Sequence, residues 1–129
     1  MIEMKTSELI GPALDWAVAM SEGATNLYFD TVACWWFTLN GADRVLSSGW
    51  SEKQNYCPST DWRYGGPLLK PNRISLTQKH SGWVIACIYD SNDEPTHMQL
   101  AEDPLIAAMR CLCASKLGDT VQVPQELLP

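Results

Sequence analysis

Apolar residues recur at helical spacing near the start of the chain: Ile10, Leu14, Ala17 and Val18 fall on one face. This pattern predicts a helix from near Ser7 to Ser21, with Thr6 or Ser7 as its cap and Gly23 as its stop. Pro12 lies inside the pattern and suits a first helical turn, which would leave the residues before it looser. Trp16 falls about half a turn from Leu14, at the rim of the buried face. The period then shortens. Asn26 to Asp30 reads as a short strand, and Val32 to Leu39 is dense in β formers. Asn40-Gly41 signals a hairpin turn, with Asp43 to Leu46 as the return strand. Trp35 and Trp36, adjacent on a strand, must point to opposite faces. One ring is expected in the core; the other would cover the far face, a helix, a partner chain or a ligand.

Residues 47 to 73 carry no regular period. Arg73 to Thr77 and Gly82 to Tyr89 then read as strands, the second nearly continuous in apolar character, as suits a central strand buried on both faces. The last helix has the clearest signals. Asp103 is a strong N-cap, Pro104 an ideal first residue, and Gly118 a C-cap. Between them Leu105, Ile106, Met109, Leu112, Cys113 and Leu117 form an apolar stripe. Val121 to Val123 suits a short strand, with residues 124–129 as a loose tail. No repeat or linker divides the chain, so residues 1–129 are expected to form one α+β domain. Its expected architecture is an antiparallel or mixed sheet packed by two helices, one N-terminal and one C-terminal.

The composition narrows the function. The chain has 129 residues, 46% of them apolar, which is enough to bury a core. No apolar run approaches a membrane span, and the first residues lack the zones of a signal peptide, so a cytoplasm is the expected compartment. The formal net charge of -6 argues against a nucleic-acid polymer as partner. Even so, Lys53, Arg63, Lys70, Arg73 and Lys79 gather in the middle third, which leaves room for a local positive pocket. The acidic residues form no long run, which disfavours DNA mimicry. Five cysteines without a Cys-x-x-Cys spacing, and only two histidines, imply reduced thiols and no metal site.

The richest chemistry lies between Tyr56 and Leu68. Pro58, Gly65, Gly66 and Pro67 break regular structure there, while Tyr56, Trp62 and Tyr64 make the segment too aromatic for an ordinary solvated loop. Nucleophilic catalysis would require a base beside an activated hydroxyl or thiol, and neither His80 nor His97 sits in such a motif. Asp61 has no second carboxylate at useful spacing. No catalytic residue is therefore assigned. Ligand capture makes fewer demands on the same residues. Trp62, Tyr64 or Tyr56 can stack on a base, and Ser59 and Thr60 can bond phosphate or ribose. Asp61 can accept from ribose hydroxyls or a base amine. The amides of Gly65 and Gly66 can approach phosphate, and Arg63 or Arg73 can pair with its charge. A structural reading competes with this one: Ser59-Thr60-Asp61 capping a short turn, Trp62 plugging the core, Gly65-Gly66-Pro67 making a tight turn. Trp50 and Trp83 read as core residues, and Arg110 as a surface or ion-pair residue.

Several segments together resemble the NinX-like proteins of tailed bacteriophages. They are Leu14-Asp15-Trp16-Ala17-Val18-Ala19, Pro58-Ser59-Thr60-Asp61-Trp62 and Gly65-Gly66-Pro67-Leu68, then Pro104-Leu105-Ile106-Ala107-Ala108-Met109-Arg110 and Ala114-Ser115-Lys116-Leu117-Gly118-Asp119. The region from Asn26 to Lys53 matches least. The resemblance implies a phage gene product acting in the cytoplasm of an infected bacterium, and it supplies no catalytic residues. By analogy with unrelated phage accessory proteins, the expected role is sequestration of a small anionic nucleotide, an immune signal of ADP-ribose or cyclic-nucleotide type. The expected partners are that nucleotide and further copies of the chain, with pockets near the subunit interface; no cofactor, membrane or nucleic acid is expected. An interaction module that inhibits a host or phage protein, and a small nucleotide-degrading enzyme, remain as alternatives.

Overall fold

The computed structural model describes residues 1–30, 34–47 and 56–128. Among these residues, eight strands fall into three antiparallel sheets. β1 (Ile2–Lys5) pairs with β8 (Thr120–Val123), so the two ends of the chain meet. β2 (Thr25–Phe29), β3 (Cys34–Leu39) and β4 (Ala42–Ser47) form the second sheet, and β5 (Ile74–Gln78), β6 (Val84–Tyr89) and β7 (Pro95–Ala101) the third. The expected architecture is thus α+β, with its strands divided among small antiparallel sheets. Val32, Trp50 and Lys53 lie outside the described residues.

The predicted hairpin forms at Asn40-Gly41, where both residues take positive φ (52° and 79°), as a two-residue turn of right-handed strands requires. Trp35 and Trp36 do part company. Trp35 turns inward, edge-on to Trp16 with centroids 5.1 Å apart, while Trp36 lies on the outer face beside Tyr28.

The first helix, α1 (Gly11–Ser21), starts four residues later than the pattern suggested, with Pro12 in its first turn. Thr6 caps nothing. It is buried, and its hydroxyl donates to the carbonyls of Gly118 and Asp119, binding β1 to the far end of the chain. Trp16 is not at a rim but fully buried, because β8 crosses over α1 and accepts its indole N–H at the Gln122 carbonyl (3.2 Å).

The last helix, α3 (Pro104–Leu117), matches its signals. Asp103 Oδ1 accepts from the amides of Leu105 (2.9 Å) and Ile106 (3.1 Å). α3 packs against α1 on one side and against the third sheet on the other. Met109 and Leu112 are fully enclosed there, and truncating either to alanine costs about 2–5 kcal/mol. Arg110 is half-buried and has no ion pair among the described residues; its Nε donates to the Leu9 carbonyl at 2.8 Å, and burial lowers its pKa. Trp83 precedes β6 and is 44% exposed rather than core, because the sheet's outer face is uncovered at that corner. His97 belongs to β7, opposite Ile88. After β8 a 3-10 turn, Gln125–Leu127, carries Leu127 into the core, so the end of the chain is packed rather than loose as far as Leu128. No helix among the described residues is long and apolar enough to cross a membrane.

Candidate functional site

The segment from Tyr56 onward is fastened at several points. The Tyr56 amide donates to the Val45 carbonyl of β4 (2.9 Å). The Ser59 amide donates to Asp15 Oδ1 of α1 (2.8 Å). The amides of Thr60 and Asp61 turn back onto the Cys57 carbonyl, at 3.1 and 2.9 Å. Asp61 then caps the short α2 (Trp62–Gly65), accepting the Arg63 amide at 2.9 Å, and a 3-10 turn (Gly66–Leu68) follows.

These fastenings decide what each expected site residue can reach. Ser59 is buried, and its hydroxyl has no hydrogen-bond partner among the described residues. Thr60 is exposed, its hydroxyl 3.5 Å from the Cys57 carbonyl. Asp61 is held by Arg63, with Nη2 at 2.9 Å and Nε at 3.1 Å from Oδ2. Those hydrogen bonds pull the Asp61 carboxyl below its ordinary range and raise the Arg63 guanidinium. Trp62 does not plug the core; it is 52% exposed, with Gly66 beneath it. Gly65 and Gly66 have right-handed helical backbones, and their amides donate to the carbonyls of Asp61 and Trp62. Gly65 does serve close approach, but toward the Pro58 carbonyl and Leu105, where a Cβ would overlap both. Arg73 is exposed immediately before β5, with φ +56°, and is not among the residues that line the cleft described below.

Three of the expected residues do converge. Tyr56, Arg63 and Tyr64 line a cleft of about 220 Å³, together with Arg44, Glu22 and Asn40. Tyr56 stands edge-on to both Phe37 and Tyr64, with centroids 5.6 Å away in each case. Two guanidiniums lie over the Tyr64 ring: Arg44 at 5.5 Å from its centroid and Arg63 at 5.7 Å. Burial, then the nearby carboxylates of Glu22 and Asp15, pushes the Tyr56 hydroxyl well above the usual phenol range, so it stays protonated and can donate.

Arg63 already has a carboxylate. Arg44 has none among the described residues, although it is half-buried. The sequence reading passed over Arg44 because β4 carries no motif. The available signal was alternation: Ala42, Arg44 and Leu46 share the inward face of a strand. A cation at an inward position calls for a purpose. Asp15 was likewise hidden in a helical stripe. It is 4% exposed, and burial lifts its carboxyl to about 7 against the opposing pull of Ser59, whose amide donates to it.

Neither His80 nor His97 lines the cleft, and no group of three or more His, Cys, Asp or Glu among the described residues could hold a metal ion. Cys111 and Cys113 are buried, and burial pushes both thiols up to about 12.

The fold and cleft define a small antiparallel α+β protein with two guanidiniums gathered over a tyrosine ring. The model of the family described as bacteriophage P22, NinX matches residues 5–116, so the chain belongs to that family. No curated protein matches it.

Proposed function

We propose that this phage-family protein captures a small anionic nucleotide and holds it without turnover, withdrawing an immune signal of ADP-ribose or cyclic-nucleotide type inside the infected bacterium. The observation that carries this reading is Arg44: a half-buried guanidinium in a cleft, over a tyrosine ring, with no carboxylate partner among the described residues. Such a group gains most from an anion that completes its hydrogen bonds away from bulk water. Tyr56 adds a protonated hydroxyl. Glu22 and Asn40, on the same lining, can accept from ribose hydroxyls or a base amine.

The cleft's volume of about 220 Å³ suits a phosphate and its ribose better than a whole dinucleotide. A second copy of the chain could complete a larger site, in line with the expected homo-oligomer. Capture is favoured over turnover because no histidine lines the cleft and Asp61 is tied to Arg63.

The test is retention. Purified protein is incubated with ADP-ribose and with cyclic nucleotides, desalted, heated, and the supernatant analysed by mass spectrometry. Intact nucleotide released from the wild type, and lost in Arg44→Gln, supports capture. Chemically altered nucleotide would make the protein an enzyme. Absence of any retained nucleotide would overturn the reading.

A further inference from the structure

The outer face of the β2–β3–β4 sheet holds a second pocket, whose chemistry is the reverse of the cleft's. Alternation along β4 sends Arg44 inward and its neighbour Asp43 outward. The outer pocket has a volume of about 240 Å³ and is lined by Asn26, Tyr28, Trp36, Thr38 and Asp43, with Phe37 at its floor. Tyr28 and Trp36 are cross-strand partners whose rings are nearly parallel, 10° apart in plane with centroids at 6.3 Å. Trp36 is oriented by Asp30, whose Oδ2 accepts its indole N–H at 2.9 Å. Tyr28 is 56% exposed and stands on an edge strand, so the pocket is open from the side.

Polar groups run across this face in a line. Asn26 Nδ2 donates to Thr38 Oγ1 (3.4 Å), and Thr38 Oγ1 donates to Asp43 Oδ1 (3.3 Å). The relay ends on a carboxylate whose other oxygen receives no hydrogen bond from a described residue. No lysine or arginine among the described residues lines the pocket. It therefore offers π-faces and acceptors and repels phosphate. A flat cation satisfies both at once: it can lie on an aromatic face and donate in-plane to a carboxylate. A compact ammonium cannot donate in that way.

We infer that this pocket receives an arginine side chain from a protein partner, its guanidinium stacked on the Tyr28–Trp36 pair and paired with Asp43. The chain's net charge of -6 favours encounter with a basic segment. This site is separate from the cleft and does not depend on nucleotide capture.

The test uses the full chain and three soluble peptides of serine and threonine with one central arginine, lysine or citrulline. Binding is read by calorimetry and by tryptophan fluorescence. The arginine peptide should bind about tenfold more tightly than the lysine peptide, and the citrulline peptide should not bind measurably. Asp43→Asn and Tyr28→Ala should each weaken the arginine peptide about tenfold, with the melting temperature unchanged. Arg44→Gln should leave peptide binding intact. Equal binding of the citrulline peptide, insensitivity to both outer-face variants, loss in Arg44→Gln, or no binding by any peptide would overturn the inference.

Discussion

The Ser59 amide donates to the buried carboxyl of Asp15 at 2.8 Å, across 44 residues of sequence. This bond pins the loop that leads into α2 onto the first helix. It also places an ionisable group in the core. Burial raises Asp15 from its ordinary value of 3.8 to about 7 in the fold. Between those values the folded chain keeps a proton that the unfolded chain has released. Stability from this group therefore falls as pH rises from about 4 to about 7 and is level above, a loss of about 4 kcal/mol at most. Asp15→Asn keeps an acceptor for Ser59 and cannot ionise. The variant and wild type should melt alike near about pH 3, below the unfolded value, and the variant should be the more stable near about pH 8. A melting-temperature gap that does not widen with pH would rule out burial of this carboxyl as the cause.

Arg44→Gln should weaken retention of an anionic nucleotide by about 10–100-fold, the range expected for losing a charged hydrogen-bond donor. Trp62→Ala should weaken it far less, since Trp62 faces solvent outside the cleft. Equilibrium dialysis on both variants separates the two. Equal losses would place the ligand on α2 rather than over Tyr64.

Asp61→Asn retains a capping oxygen for the Arg63 amide but releases the Arg63 side chain from its ion pair. Anion retention should then tighten, most clearly at low salt. Weaker retention in this variant would mean that Asp61 itself touches the ligand.

Gly65→Ala places a methyl group against the Pro58 carbonyl oxygen and 2.8 Å from Leu105 Cδ2. Overpacking of this kind costs about 1–3 kcal/mol, so the thermal midpoint should drop by several degrees. Gly66→Ala meets only Trp62 at an ordinary 3.5 Å and should be tolerated. Similar midpoints for the two variants would show that α2 can shift away from Pro58.

Thiol reactivity offers an independent check on the packing. Cys111 and Cys113 are enclosed, and both are pushed up to about 12, whereas Cys34 and Cys57 are only half-buried. Ellman's reagent near about pH 8 should label the second pair first and reach the α3 thiols only on unfolding. Fast labelling of Cys111 in the native protein would contradict the α3–sheet interface.

What could be read from the sequence was local. Asp103-Pro104 and Gly118 bracket α3, and Asn40-Gly41 sets the hairpin, because each acts through its own backbone. What escaped depended on distant neighbours. Thr6 looked like a cap until β8 came alongside, and Trp62 looked like a core or stacking residue because its exposure is set by α2 lying flat on Pro58 and Leu105. The cleft was half legible: Tyr56, Arg63 and Tyr64 come from the conspicuous segment, but Arg44 arrives from another sheet strand. A one-dimensional scan sees density of chemistry, and the convergence of Arg44 on Tyr64 is a product of β4 pairing with β3.

The pairing of β1 with β8 bears on how the chain is made. β1 is synthesised long before its partner β8, with which it pairs through Ile2–Val123 to Lys5–Thr120, and Trp16 and Thr6 likewise wait for Gln122 and Gly118. Translation must pass β8 before these contacts can close. The helix that anchors Ser59 therefore leaves the ribosome with one flank bare, and its final locking waits for β8 to emerge.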